Sequence, residues 1–107
     1  MKDMEEIEQI LHRFKDEVRK VCGKKFIDLI LFGSYARGDY SEDSDVDVLF
    51  IVKEELSRSE KDKIAELLAH FSLEFDVLIS CIDYPYKLFK EYNTPFLLNV
   101  KEEGLKI

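Results

Sequence analysis

Positive charge is in short supply: 16 Lys and Arg stand against 23 Asp and Glu, a formal net charge of −7. Proteins that hold nucleic acids by their phosphates displace condensed counterions with Lys and Arg, so direct nucleic-acid binding is not expected of this surface. An acidic protein can still take a nucleotide whose charge is met by metal ions and a few local donors, and acidity suits a basic protein partner. Cysteine is scarce too, with Cys22 and Cys81 far apart, outside any CxxC spacing and in apolar surroundings; both read as reduced core thiols of a cytoplasmic protein. No apolar run approaches the ~20 residues of a membrane span, and no signal-peptide pattern is present, so no membrane association is expected. His12 and His70 have no second ligand at metal spacing, which excludes a histidine-based zinc site. Low-complexity tracts and linkers are absent, and 107 residues suit one domain, residues 1–107, with a single core.

What is present is strongly patterned. Met4, Ile7, Leu11, Phe14, Val18 and Val21 recur at three- and four-residue intervals, predicting an amphipathic helix over 3–22 that Gly23 ends. Phe26–Phe32 and Val46–Val52 are short, nearly continuous apolar runs and read as strands buried on both faces. Ser57 with Glu60 forms a capping-box pattern ahead of Ile64, Leu67, Leu68 and Phe71, predicting a helix over 58–71. A third strand is expected at Phe75–Ile82, a short helix from Asp83 and Pro85 through Lys90, a last helix between Thr94–Pro95 and Gly104, and an edge strand at 105–107. The fold class is therefore α/β (α+β), a small mixed sheet with helices packed on it. Strand, helix and strand over 46–82 make a right-handed parallel unit. With the first strand antiparallel, its finishing end meets the starting ends of the other two.

That shared edge is where the acids gather. Five carboxylates, Asp39, Glu42, Asp43, Asp45 and Asp47, fall within nine residues. Asp45 and Asp47 are two apart on a strand and point to one face; like charges so close raise each other's proton affinity and cost stability unless a cation neutralises them. Asp76, in the third strand, is expected beside them. Three carboxylates make an oxygen-only site suited to Mg²⁺ or Mn²⁺, and a two-metal site supports in-line phosphoryl chemistry. Gly33 and Ser34 would cradle phosphate through close backbone approach, free N–H groups and a hydroxyl, and Arg37 adds charge. Asp39, Glu42 and Asp43 read as solvated loop, Asp28 as structural or edge-exposed, and Tyr84, Tyr86 and Phe89 as core packing or helix surface ahead of base stacking or a partner contact.

The combination Phe32-Gly33-Ser34, ten intervening residues, Asp45-Val46-Asp47 and a later Asp76 resembles the nucleotidyltransferase superfamily of the DNA polymerase β type. The fuller string GSYARGDYSEDSDVDVLF is similar to its compact branch, the minimal nucleotidyltransferases (MNT) that pair with HEPN proteins in toxin–antitoxin systems. The resemblance implies that Gly33 and Ser34, assisted by Arg37, hold the β- and γ-phosphates of ATP. It implies that Asp45 and Asp47 hold two Mg²⁺ ions and that Asp76 completes the site nearest the nucleophile. It further implies transfer of AMP to a hydroxyl of a HEPN toxin partner, a tyrosine, with the chain acting as antitoxin. Two other readings stay open: a non-catalytic module that neutralises its partner by contact, and nucleotidyl transfer to RNA or a small molecule.

Overall fold

In the computed structural model, which describes residues 2–107, the sheet follows from the apolar pattern and has the strand order Ile79–Pro85, Val46–Val52, Phe26–Phe32, Leu105–Lys106. The first helix, α1 (Met4–Cys22), opens on Asp3, whose side chain accepts from the Glu6 N–H at 2.9 Å, and stops where Gly23 takes φ +54°. A 3-10 turn (Gly23–Lys25) leads into β1 (Phe26–Phe32), which pairs antiparallel with β2 (Val46–Val52). Between them stands the single-turn helix α2 (Ser34–Arg37). The capping box of α3 (Arg58–Phe75) is present in both directions, the Glu60 N–H donating to Ser57 at 3.1 Å and the Ser57 N–H to Glu60 at 2.8 Å. Helix α3 crosses back to β3 (Ile79–Pro85), parallel to β2 as expected. Then come α4 (Tyr86–Glu91), α5 (Pro95–Glu103) with Thr94 as cap and Pro95 in its first turn, and β4 (Leu105–Lys106), antiparallel to β1.

Three boundaries differ from expectation. The second long helix runs one turn further, to Phe75, and the third strand begins at Ile79 instead of Phe75. Asp83 belongs to that strand, so the short helix starts at Tyr86. Consequently Asp76 is not a strand residue: it is the C-cap of α3, left-handed at φ +52°. Phe75 falls four residues after Phe71, and the helix carries on because no Gly or Pro stops it.

The strand period divides the core. Leu29, Leu31, Val46, Val48 and Phe50 face α1 and α3, in a cluster that includes Phe14, Val18, Ile64 and Phe71. Ile30, Leu49 and Ile51 turn to the opposite face and pack on Leu97 and Val100 of α5, with Tyr84 and Phe89 at the margin. Two-sided burial of the sheet is why β2 reads as continuous hydrophobe. Asp28, on β1, pairs with Lys106 at 3.6 Å. The cysteines are free, Cys22 buried and Cys81 half-buried. Among the described residues no helix is long and apolar enough to cross a membrane.

Candidate active site

Register places the glycine turn on the acid pair. Phe32, the last residue of β1, is the cross-strand partner of Asp47, so Gly33 leaves the sheet beside that carboxylate. Gly33 has φ +76° and ψ −153°, a conformation essentially reserved for glycine. A Cβ there would lie 2.5 Å from the Asp47 Oδ2. Position 33 thus needs glycine twice, for its backbone angles and for the room that Asp47 occupies.

Ser34 opens α2, whose short hydrogen-bonded turn is closed by the Arg37 N–H to Gly33 (3.1 Å) and the Gly38 N–H to Ser34 (2.9 Å). No side chain caps its first turn, and a helix start carries N–H groups without intrahelical partners. Tyr35, behind the turn, is buried and stacks on Tyr40 with ring centroids 4.3 Å apart, tethering the loop that follows. Gly33, Ser34, Arg37 and Asp47 line one cavity of about 420 Å³.

Burial, and next the neighbouring Asp45, push the Asp47 carboxyl above the usual aspartate range, while Arg37 pulls it the other way. The pair therefore carries the unfavourable negative charge that its spacing predicts. Arg37 donates to Asp39 (3.2 Å) and, through its other nitrogen, to Glu103 of α5 (3.5 Å); the Asp39 hydrogen bond is the main cause of its raised pKa. Asp39 is thus an ion-pair partner of the site as well as a loop residue.

Asp45, exposed at the mouth of β2, lies on a second cavity of about 320 Å³ with Glu42, Asp43 and Asp76. Asp76 is brought to Asp45 but not to the cavity that holds Asp47, Gly33, Ser34 and Arg37. The residue across from Asp47 on β3 is Ser80. Among the described residues, no three His, Cys, Asp or Glu side chains stand close enough together to hold a metal ion. The donor set of Asp45 and Asp47 nevertheless fits Mg²⁺, which is commonly bound through one or two carboxylates and completed by substrate phosphate oxygens and water.

Four lining residues have no counterpart in the sequence reading: Phe96, Asn99, Val100 and Glu103, all on α5. Only the packing of α5 on the Asp47 face of the sheet reveals them. The spacing 96, 99, 100, 103 put them on one helical stripe, but nothing local says which face that stripe meets.

The glycine turn, the Asp47 carboxylate packed against it and Arg37 alongside gather in one cavity at the edge of the sheet. Residues 7–106 match the family model for the nucleotidyltransferase domain, and the chain belongs to that family. It is 43% identical over 102 residues to a provisionally named protein adenylyltransferase of Methanocaldococcus jannaschii, covering 95% of this chain and 99% of that one. Over 49 residues it is 51% identical to the protein adenylyltransferase MntA of Thermococcus cleftensis, covering 46% and 48% of the two chains. In fold it is similar to a solved structure provisionally named a minimal nucleotidyltransferase (TM-score 0.63, 21% identity, 99% and 97% coverage). It is also similar to a toxin–antitoxin crystal structure with AMP-PNP (TM-score 0.60, 19% identity, 88% and 69% coverage). A third neighbour in fold is a complex of tri-AMPylated Shewanella oneidensis HEPN toxin with MNT antitoxin (TM-score 0.59, 17% identity, 92% and 69% coverage).

Proposed function

We propose that this chain is a Mg²⁺-dependent adenylyltransferase that moves AMP from ATP to a tyrosine hydroxyl of a HEPN-type partner and so neutralises it as a cytoplasmic antitoxin. One observation carries the reading: the Asp47 carboxylate abuts Gly33 in a cavity shared with Ser34 and Arg37. In this reading a nucleotide's phosphates and the acid that serves them would share one place. The family membership, the names borne by the relatives and the toxin–antitoxin neighbours in fold all support it.

In this reading Gly33 lets backbone approach the triphosphate, the Ser34 hydroxyl and the N–H groups of the turn bind its β- and γ-oxygens, and Arg37 balances their charge. Asp45 and Asp47 would hold the metal ions, two Mg²⁺ with Mn²⁺ as a substitute, which when bound would lower the pKa of the attacking hydroxyl and neutralise charge at the α-phosphate. The acceptor oxygen forms its bond to the α-phosphorus while the bond from that phosphorus to the bridging oxygen breaks. The electron pair leaves with pyrophosphate, and the hydroxyl proton passes to a carboxylate. Asp76, beside Asp45 and outside the phosphate cavity, takes that proton on the acceptor side. Positioning supplies most of the acceleration.

The test is intact-mass spectrometry of the purified chain with Mg²⁺, each nucleoside triphosphate in turn, and any protein encoded beside it. Adenylyl masses should appear on the partner. A stable complex without mass change, formed by protein that binds ATP, would make the chain a contact-only antitoxin. Asp76→Asn should slow transfer while leaving AMP-PNP affinity intact, whereas Asp47→Asn should lose both.

A further inference from the structure

The cavity at Gly33 combines two kinds of chemistry. Part of its lining is the glycine turn with Arg37; part is the stripe of α5 that carries Phe96 and Asn99. The Phe96 ring is fixed by an edge-on contact with Phe32 (centroids 5.4 Å, planes at 88°), the residue immediately before the glycine turn, and is still 39% exposed. Asn99 is exposed three residues on, within the same cavity. Leu97 and Val100, by contrast, are buried at 0% and 2% exposure and anchor the helix to the sheet. The fold thus offers an aromatic ring packed on Phe32 and an exposed amide on the wall of the same volume of about 420 Å³, within the usual range of small-molecule sites of about 300–1,000 Å³.

We propose that Phe96 and Asn99 form the nucleoside subsite, Phe96 stacking on the nucleobase and Asn99 hydrogen-bonding to the base edge or the ribose of a triphosphate whose phosphates rest on Gly33, Ser34 and Arg37. This deepens the proposed function and rests on it. A base has a π-face to stack, and a rigid ring costs little entropy to use. An amide offers two donors and two acceptor sites, enough to prefer one base over another.

The test compares two probes by titration calorimetry in the presence of Mg²⁺: AMP-PNP, and inorganic tripolyphosphate, which lacks a nucleoside. Phe96→Leu keeps an apolar contact with Phe32 and removes the stacking surface, and Asn99→Ala alters an exposed position, so thermal unfolding should show both variants folded. Phe96→Leu should weaken AMP-PNP about tenfold, as expected for one lost base–aromatic stack, and Asn99→Ala about fivefold, as for one hydrogen bond. Tripolyphosphate affinity should not change. A loss of AMP-PNP affinity in either folded variant with tripolyphosphate unaffected upholds the subsite. Unchanged AMP-PNP binding in both, a parallel loss for both probes, or equal affinity of the unmodified protein for the two probes overturns it and leaves the proposed function standing. Failure of the unmodified protein to bind either probe overturns both.

Discussion

At the scale of single residues, the glycine turn and the acid next to it are mutually constrained. Gly33→Ala would force a Cβ to within 2.5 Å of the Asp47 Oδ2 at φ +76°. A residue held in such a backbone region costs about 1–3 kcal/mol, and relief by moving Asp47 would spoil the site. The expected outcome is a lowered denaturation midpoint together with loss of AMP-PNP binding. Asp47→Asn should do the reverse to stability. Because the folded protein holds the Asp47 proton more tightly than the unfolded chain does, ionised Asp47 costs stability, and the cost sets in as pH rises from the ordinary value of 3.8 through the raised folded value. The variant should therefore melt higher than the parent at pH 7, by under about 1 kcal/mol given the partial exposure of the carboxylate, and match it at pH 3. Melting curves across that range read the difference. Arg37 should also respond to its partners. Glu103→Gln weakens the hold of α5 on its guanidinium, so tripolyphosphate should bind a few-fold tighter, as calorimetry would show.

At the scale of elements, the end of α3 separates what the fold needs from what the site needs. Asp76 adopts the left-handed conformation in which helix C-termini favour glycine. Glycine there would relieve about 1–2 kcal/mol of left-handed strain, less for an aspartate, and return about 0.4–1 kcal/mol of entropy to the unfolded chain. Asp76→Gly should then be neutral or slightly stabilising in urea titrations, yet slow adenylyl transfer if the carboxylate serves the acceptor. The same element shows how far the sequence could be read. The first helix, both inner strands and the caps at Ser57 and Thr94 were legible because period and capping residues agree. The handover from α3 to β3 was not, because Leu73, Phe75 and Val77 satisfy a strand's alternation while Phe71 and Phe75 satisfy a helix's spacing, and no breaker decides between them. Gly33, Ser34, Arg37, Asp45 and Asp47 announced themselves by chemistry unsuited to an apolar strand and turn. Phe96 and Asn99 could not, since an apolar helix looks alike whichever sheet face it covers.

For the whole molecule, the two thiols report on cooperative unfolding. Burial, then the neighbouring Glu60, raises Cys22 to about 11, and burial, then Asp83, raises Cys81 to about 12. Thiolate is the reactive form, so a thiol reagent at pH 8 should label neither at an appreciable rate in the native protein. Both should become reactive together, with a urea midpoint equal to that of circular dichroism. Separate midpoints would mean that the α1 side of the sheet and the β3 edge open independently.

Strand β2 has hydrogen-bonded neighbours on both sides, β1 and β3, and Asp47 lies within it while Asp45 precedes its first residue. Amide exchange is slowest where release requires disruption of a whole sheet, so the two acids ride on backbone of very different permanence. Asp47 is the fixed post of the site, paired on each flank and sealed against the glycine turn. Under the proposed function Asp45, outside the strand, would follow an ion or a departing product without unlocking it.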